Sequence, residues 1–395
     1  MNNMNIFTIK RNFIELNRLR FILSKIYETG GEIFLKKLNL KHLVPLKCKI
    51  HCFLNSVNRK ENCLVKMEED LKISPKVFRE VLEKLGPTFI KLGQILSLRA
   101  DIVGEEISQE LSKLQDDVAI FPYEEAEKII EKELGKVKHI FKSFDKNPVA
   151  SASLSQVYRA ILKNGEEVAV KVQRPNIDKI INQDIHILFY LAKLLEEKIP
   201  ESKPYQPIKV VNEFADWTTR ELDFRIEGHN AERFRFSFKE NPNINIPKIY
   251  WEYTTSQVLT MEFVHGIKAD NIRAMEKLNI NRKKIAANGV DAILQQFLID
   301  GFFHADPHPG NFFILKNGML CIHDFGMVGY LDESQRKELI SCFIAFIDRD
   351  IESFLKHFMH MAILNEKSDV EGFKKDASDI LNELLYSSKQ PSIAW

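Results

Sequence analysis

Three polar side chains in the last quarter of the sequence could bind one metal ion. Asp306 and Asn311 lie five residues apart in the segment HADPHPGN (304–311), and Asp324 follows in DFG (324–326). Carboxylate and amide oxygens suit Mg²⁺, which keeps several waters and needs few protein ligands. In phosphoryl transfer the ion bridges phosphate oxygens while another carboxylate orients the nucleophile. The pattern predicts that Asn311 and one of the two aspartates hold the ion, while the other aspartate orients the nucleophile.

A tight β-hairpin is expected to position these side chains. Apolar runs at 312–315 and 319–323 flank the Asn-Gly pair at 317–318, a pair typical of two-residue hairpin turns. Asn311 precedes the first strand and Asp324 follows the second. We therefore expect the hairpin to bring the oxygen ligands to one point.

The same segment also permits a zinc interpretation. His304, Asp306 and His308 alternate along the chain, and imidazole is a preferred zinc ligand. The intervening prolines predict an irregular loop in which three ligands could converge. DFG alone and D-x₄-N alone are both common by chance, so these residues leave phosphoryl transfer and metal-dependent hydrolysis open.

Composition narrows the class of protein. The 395 residues suffice for two or three domains, and 45% are apolar, as is usual for globular proteins. The net charge of +1 argues against a nucleic-acid partner bound by bulk electrostatics. The five cysteines are an odd number and predict reduced thiols in a cytosolic setting. A zinc site at Cys48 and Cys52 would lack a second ligand pair.

The first residues predict a basic amphipathic helix rather than a signal peptide. Apolar residues recur at helical spacing over 9–26, charges interrupt the segment, and a Gly-Gly pair at 30–31 ends it. Such a helix could lie on an anionic membrane surface or pack on its own protein, and we favour the second. No stretch approaches the apolar length needed to span a bilayer. The chain ends abruptly after a helical pattern, which is compatible with a longer native protein.

A helical segment is expected before any sheet. Residues 41–65 have no clear period and predict a loop, and Ser74 is the predicted N-cap of the next helix. A following helix carries Lys91 and Gln94 on either side of Gly93. Glycine inside a helix costs about 1 kcal/mol relative to alanine, so Gly93 predicts a close approach by another group. Further helices are predicted at about 105–115 and from 122.

From residue 141 the pattern predicts a β-loop-β unit over a nucleotide. A strand, a turn at 163–166 and a return strand at 168–172 would direct Lys171 towards phosphates. Small residues before the first strand let backbone amides approach phosphate oxygens; they are Ala150, Ser151, Ala152 and Ser153. The G-x-G-x-x-G of protein kinases is absent. Taken alone, the return strand would be read as an edge strand with a solvated lysine.

A long helix from 208 to about 238 is predicted to supply the carboxylate partner of Lys171. Asp223 and Glu227 are four residues apart and would share a face. A phosphate-orienting lysine needs such a partner, and Glu227 is the candidate. A strand is then predicted at 258–264, where the chain leaves the small lobe. Its end, Glu262 to Val264, would form a hinge offering backbone groups to adenine.

In this order the motifs resemble the UbiB family of aarF-domain, atypical kinase-like proteins. The matches cover roughly residues 10–345 and weaken the zinc interpretation. They are KLGQ (91–94, the family's K-x-G-Q), the Ala-rich loop (150–153), VAVKVQRP (168–175), ELD (221–223, the family's E-x-D), 304–311 and 324–326.

The resemblance implies an α+β, two-lobed protein-kinase-like fold with an N-terminal helical extension carrying the K-x-G-Q motif. It implies four segments: a helix and loop at 1–65, the extension at 66–140, an N-lobe with a helical insert at 141–264, and a C-lobe at 265–395 that a longer native protein would extend. It implies Mg-ATP binding by Lys171, Glu227, Asn311 and Asp324, with Asp306 in the catalytic-base position. The expected regulatory residues are Lys91, Gln94, Glu221 and Asp223.

The resemblance also implies a function in ubiquinone biosynthesis at a membrane, as an ATPase or a kinase acting on lipid or on partner enzymes. We expect a cytoplasmic protein held peripherally at the inner (cell) membrane, with ATP, quinone precursors, anionic lipids and quinone-biosynthesis enzymes as candidate partners. Family members often end in apolar helices, which this sequence lacks. The alternative function is a nucleotide-dependent binding module for quinone precursors or partners, with little phosphotransfer.

Two departures from ordinary kinases bear on regulation. Soon after DFG, Asp332 and Gln335 predict the capped start of the next helix, and no Ala-Pro-Glu follows. Asp306 also lacks the arginine that usually precedes it, which argues against control by loop phosphorylation. We also expect the helix of Lys91 and Gln94 to cover the active-site side of the kinase core and to exclude protein substrates. Lys91 would then pair with Glu221 or Asp223, since a buried lysine needs a carboxylate.

Overall fold

The computed structural model describes residues 6–50, 74–114, 119–361 and 369–386. The chain divides into two compact units, Met1–Gly228 with Ile249–Phe263, and His229–Lys248 with Val264–Trp395. Both contain helices and strands, so the α+β class expected from the sequence is confirmed. The division into four segments stays a prediction.

Helices make up most of the described chain, and they are numbered here in chain order. They are α1 (Ile6–Glu28), α2 (Glu32–Lys37), α3 (Pro75–Leu85), α4 (Pro87–Ser97), α5 (Ala100–Val103), α6 (Glu105–Leu111), α7 (Tyr123–Leu134), α8 (Val137–Ile140), α9 (Ile177–Lys198), α10 (Pro207–Glu221), α11 (Phe224–Ser237), α12 (Ile272–Lys277), α13 (Arg282–Leu294), α14 (Glu333–Ile347), α15 (Ile351–Met361) and α16 (Val370–Tyr386).

The strands are short and form three sheets. They are β1 (Phe141–Phe144), β2 (Ala150–Ser151), β3 (Ser155–Leu162), β4 (Glu167–Gln173), β5 (Ile244–Asn245), β6 (Val258–Glu262), β7 (Gly266–Lys268), β8 (Phe302–His304), β9 (Phe312–Leu315), β10 (Leu320–Ile322) and β11 (Val328–Tyr330).

The first helix packs on its own protein, as we favoured from the sequence. Leu19, Ile22 and Leu23 of α1 are buried in one apolar core with residues of α3, α4, α9 and α10. The Arg18 guanidinium donates to both carboxylate oxygens of Asp184, at 2.7 and 2.8 Å. Because the Asp184 side chain is fully buried, this pair fixes α1 against α9.

The loop predicted at 41–65 is wrong where the structure describes it. Lys41–Leu43 form a 3₁₀ turn and residues 46–50 are helical, while 51–65 lie outside the described residues. Leu40 and Val44 are buried in the core of the first unit. Elements this short give too few repeats to produce a periodic pattern.

Helices α3 and α4 are joined by Gly86, whose φ of +98° suits glycine. The helix start at Pro75 is as predicted, but the Ser74 side chain makes no capping hydrogen bond. The close approach expected at Gly93 is present. A Cβ there would clash with Leu114 Cδ1 and lie 2.8 Å from Leu82 Cδ1.

An antiparallel sheet in the first unit presents Lys171 on one face. Its order is β1-β3-β4-β6, with β2 paired to β3. Val170 and Val172 point to the other face, where they are buried with residues of α7, and strand side chains alternate between faces. Lys171 therefore extends from the side opposite the apolar core.

The single helix predicted from 208 to about 238 is two helices. The break lies at Leu222 and Asp223, where the Phe224 N–H donates to Ser256 O at 3.0 Å. Asp223 therefore precedes α11 instead of sharing a helical face with Glu227. Its Oδ1 accepts the Arg225 N–H at 3.1 Å and its carboxylate pairs with the Arg225 side chain.

In the second unit a four-stranded sheet has the order β5-β10-β9-β7, and β8 pairs with β11. Helix α13 continues into a π-helical segment, Gln295–Asp300, which leads directly into β8. Helix α14 begins with the capping box predicted from the sequence, formed by Asp332 and Gln335. Within the described residues, no helix is long and apolar enough to cross a bilayer.

Candidate active site

The predicted hairpin is confirmed, and it holds the Asn311 end and the Asp324 end opposite each other. β9 and β10 pair with Ile314 opposite Leu320, and Gly318 turns the chain with a φ of +80°. At the open end the Asn311 carbonyl accepts the His323 N–H at 3.2 Å. Asn311 therefore lies across the strand pair from the residue that precedes Asp324.

The Asn311 side chain is oriented by the backbone of Asp306. Its Nδ2 donates to Asp306 O at 3.0 Å and lies 3.3 Å from Asp306 Oδ2. A carbonyl oxygen can only accept, so the amide orientation is fixed and Oδ1 is the atom left for a ligand. In Asp324, Oδ1 accepts the Gly326 N–H at 2.9 Å, which fixes that carboxylate in the turn.

His304 ties the two aspartate segments together. Its Nε2 lies 2.5 Å from Asp324 O and must donate, while Nδ1 accepts the Asp306 N–H at 3.1 Å. These bonds require the neutral ring. Burial lowers the pKa of His304 and outweighs the Asp324 and Asp306 charges, which act in the opposite direction.

The same bonds remove His304 from the zinc interpretation. Both ring nitrogens are engaged by the main chain, so neither is available to a metal. His308 Nδ1 accepts the Gly310 N–H at 3.0 Å. Among the described residues, no possible metal cluster includes His304, Asp306 or His308.

Helix residues that the sequence reasoning missed support this site. Asn230 Nδ2 donates to Phe325 O at 3.0 Å, and Gln296 Oε1 accepts the His304 N–H at 2.8 Å. Phe325 is fully buried and its ring centroid lies 5.3 Å from that of Phe234. For Gln296 the available signal was weak, a pair of glutamines in the otherwise apolar stretch 292–299. The residues around Asn230 are mostly polar and offered no signal.

In the first unit, the predicted ion pair of Lys171 and Glu227 is present. Lys171 Nζ lies 2.9 Å from each carboxylate oxygen, and the side chains are only 15% and 7% exposed. The ammonium also lies 5.4 Å from the Phe224 ring centroid, a cation–π distance. Glu227 occupies the first turn of α11, where the helix dipole favours a carboxylate.

The small-residue segment is part strand and part turn: Ala150 and Ser151 form β2, and Ala152 and Ser153 lie in the tight turn that leads to β3. Ala150 pairs with Val157 and Ser151 with Gln156, and the Ala152 N–H donates to Ser155 O at 2.8 Å. Ser153, at the turn, is buried.

Arg174, which the sequence reasoning did not single out, stabilises this turn through hydrogen bonds from its guanidinium. Its guanidinium donates to Ala152 O at 3.0 Å, Ser151 Oγ at 2.8 Å and Ala119 O at 2.9 Å. Burial lowers the pKa of Arg174. The signal in the sequence was its place in VAVKVQRP (168–175), just after the predicted return strand.

The predicted hinge lies where the chain passes from one unit to the other. β6 ends at Glu262, the Phe263 N–H donates to Glu167 O at 3.1 Å, and Val264 begins a segment of the second unit. The adenine contacts of Glu262 and Val264 stay a prediction.

Lys91 pairs with Glu221, one of its two predicted partners. Lys91 Nζ lies 2.6 Å from Glu221 Oε1, and both side chains are largely buried. Glu221 Oε2 is buried without a hydrogen bond among the described residues. Gln94 is half-buried on the next turn of α4. Where this helix lies with respect to Asp306 and Asp324 stays a prediction.

The fold of this chain resembles that of a solved structure. A Mycobacterium tuberculosis protein, solved in complex with erythromycin, aligns with a TM-score of 0.53 at 22% identity, over 86% of this chain and 82% of that one. At this identity the likeness concerns the fold alone.

Curated relatives match at higher identity. An uncharacterized Synechocystis protein is 40% identical over 76% of this chain and 53% of its own length. The Arabidopsis thaliana protein "ACTIVITY OF BC1 COMPLEX KINASE 8, chloroplastic" is 40% identical over 79% and 41%, and a "Probable protein kinase UbiB" of Marinobacter nauticus is 42% identical over 69% and 51%. The chain thus spans about half the length of these relatives.

The family profile of the ABC1 atypical kinase-like domain matches residues 113–358, which include both the strand of Lys171 and the hairpin between Asn311 and Asp324. Together with the UbiB relatives, this match confirms the resemblance drawn from the motifs. The chain belongs to the ABC1/UbiB family of atypical kinase-like proteins.

Proposed function

We propose that this chain binds Mg-ATP and either hydrolyses it or transfers the γ-phosphoryl group to a small or lipidic acceptor. The observation that carries the proposal is the arrangement of Asp306, Asn311 and Asp324. Main-chain bonds to neutral His304 link the two aspartate segments, and the Asn311 amide is oriented by Asp306. Such preorganisation is what positioning catalysis of phosphoryl transfer requires.

The oxygen donors of the second unit fit Mg²⁺. Asn311 offers an amide oxygen and Asp324 a carboxylate, both hard ligands. These two residues would hold the ion, which would neutralise charge on the phosphate oxygens. Asp306 would accept the proton of the attacking hydroxyl or water.

Residues of the first unit would bind the phosphates. Lys171, held by Glu227 at 2.9 Å, would orient them, and the turn Ala150–Ser153, braced by Arg174, would offer backbone N–H groups. Glu262 and Val264 would contact the adenine. Lys91, Gln94, Glu221 and Asp223 would regulate access and exclude protein substrates.

Membership of the family supports the further proposal that the chain assists ubiquinone (quinone) biosynthesis. Relatives carry the name UbiB. On this proposal the protein works in the cytoplasm, peripherally at the inner membrane, with quinone precursors, anionic lipids or quinone-biosynthesis enzymes as partners.

Phosphate release from Mg-ATP tests the proposal. The purified chain is assayed with and without anionic liposomes, beside Asp324→Asn and the control Asp291→Asn, an exposed residue of α13 in the same unit. We expect Asp324→Asn to lose Mg-dependent nucleotide binding or turnover because it removes a charged ligand, and Asp291→Asn to behave as the unaltered chain.

The outcomes separate the alternatives. Unaltered turnover in Asp324→Asn would reject that residue as the metal ligand. Tight ATP binding without phosphate release under any condition would favour the nucleotide-dependent binding module. Strong phosphorylation of a generic protein substrate by the unaltered chain would contradict the exclusion of proteins by the helix of Lys91.

A further inference from the structure

Three metal-ligating side chains converge in the second unit, outside the site described above. Glu338 lies on α14, and His357 and His360 lie one turn apart on α15. His357 Nδ1 is 2.7 Å from Glu338 Oε2, and His360 Nδ1 is 3.3 Å from Glu338 Oε1. One ligand atom from each of the three residues lies within 4.8 Å of the others.

The two helices hold these side chains on a packed frame. α14 and α15 pack against each other: Cys342 Sγ lies 3.7 Å from Phe354 O, and the ring centroids of Phe346 and Phe354 are 6.2 Å apart. Cys342 and Leu355 are both buried. Residues three apart on a helix share a face, so both imidazoles reach the same side of α15. Glu338 and His357 are 28% and 29% exposed, and His360 is 54% exposed. An ion could therefore enter from solvent.

We propose that Glu338, His357 and His360 bind one divalent transition-metal ion, with Zn²⁺ the best fit. Two imidazoles and one carboxylate match the three-ligand sets of zinc sites that leave the fourth position to water. Magnesium and calcium prefer oxygen ligands, so two nitrogen donors select against them. The bound ion replaces the protons now shared between each ring and the carboxylate, and it cross-links α14 to α15.

This site is independent of the proposed ATP chemistry. Asn311 and Asp324 offer hard oxygen ligands, whereas this cluster offers nitrogen ligands on a different pair of elements. A simple His–Glu ion pair is the competing explanation for the same contacts. An ion pair needs only one histidine, and here both rings direct Nδ1 at the same carboxylate.

Calorimetric titration of the full chain with ZnCl₂ tests the proposal, at roughly pH 8 where imidazole is neutral. We expect one equivalent to bind, and the double variant His357→Gln/His360→Gln to lose it. Glu338→Gln should weaken binding by at least about tenfold, since even loss of a partner that orients a ligand costs 10–100-fold. Zinc should also raise the melting temperature of the unaltered chain but not that of the double variant.

Two matched variants identify the source of any signal. His186→Gln removes a histidine of α9 whose Nδ1 lies 3.4 Å from Glu15 Oε1 of α1. This variant should bind zinc normally. Asp324→Asn should also bind normally, which separates this site from the proposed magnesium ligands. Far-UV circular dichroism in EDTA checks that each variant is folded. If the double variant is unfolded, the zinc affinity of Glu338→Gln tests the proposal.

No zinc binding by the unaltered chain would overturn the proposal. So would unchanged stoichiometry and affinity in Glu338→Gln, because the ion would then bind elsewhere.

Discussion

Removing either charge of the Lys171–Glu227 pair should destabilise the first unit far more than removing both. Lys171→Met removes the ammonium that pairs with Glu227, and Glu227→Leu removes the carboxylate that pairs with the ammonium, which also lies over the Phe224 ring. Both side chains are at most 15% exposed. Water therefore cannot easily replace the lost partner.

The contact geometry gives the size of the effect. Unit charges about 4 Å apart attract by about 4 kcal/mol at an effective dielectric constant of about 20, and breaking a buried pair on one side costs about 3–5 kcal/mol. We therefore expect each single variant to lose about 3–5 kcal/mol in free energy of unfolding. The double variant Lys171→Met/Glu227→Leu removes both desolvation costs and should lie within about 1–2 kcal/mol of the unaltered chain.

Urea unfolding followed by circular dichroism measures the free energy of unfolding of the unaltered chain, the two single variants and the double variant. ATP titration of the same samples measures the binding affinity. Lys193→Met is the matched control, because Lys193 pairs with Glu197 on the surface of α9, and exposed pairs contribute about 0–1 kcal/mol. The double variant should be nearly as stable as the unaltered chain yet bind ATP poorly. That combination would separate the structural contribution of the lysine from its proposed phosphate contact.

Two results would refute the reasoning. Additive losses in the double variant would mean that the two charges do not interact. Full ATP affinity in a stable double variant would remove Lys171 from the nucleotide site.

The remaining predictions concern the loop, the helix glycine and the buried histidine. Ala152→Gly, like Ala150→Gly, should alter ATP and ADP affinities because glycine frees the loop backbone; equal affinities in both would exclude the loop from the site. Gly93→Ala should cost about 1 kcal/mol net, because overpacking of about 1–3 kcal/mol exceeds the helix gain of about 1. Gly289→Ala, whose Cβ would meet nothing closer than 3.7 Å, should instead stabilise by about that gain. Because burial lowers the pKa of His304, this residue binds a proton at a higher pH in the unfolded chain than in the folded chain. Stability should therefore fall as pH drops below about 6.5 towards the lower folded value, and less so in His304→Gln, as urea midpoints at two pH values will show. An equal fall in both would assign the pH effect to other groups.

The parts of the fold predicted from sequence follow local rules. The Asn-Gly pair at 317–318 determines a hairpin within a few residues, and Asp332 with Gln335 determines a helix start. The sequence could suggest that Gly93 is required for steric reasons, but it could not identify Leu82 and Leu114 as the neighbouring side chains. The Lys171 partner followed from the need of a phosphate-orienting lysine for a helix carboxylate, whereas the Lys91 partner required the family resemblance.

The parts that were missed depend on contacts distant in sequence. The break before α11 contains neither glycine nor proline, and it is stabilised by a bond from Phe224 to Ser256. Arg174, Asn230 and Gln296 act through backbone groups up to 95 residues away. Single polar residues of this kind create no periodic signal. Ser74 shows the converse, since a favourable residue type does not ensure that its side chain makes the cap.

The contact between Arg18 and Asp184 determines which part of the chain can be expressed alone. Asp184 belongs to α9, within the region that matches the family profile, and its carboxylate is fully buried against an arginine from the first helix. A fragment trimmed to residues 113–358 would keep the carboxylate and lose its cation, along with Leu19, Ile22 and Leu23 from the shared core. The boundary of the sequence family is therefore not a boundary of the folded unit, and a fragment designed for crystallisation or assay should begin before α1.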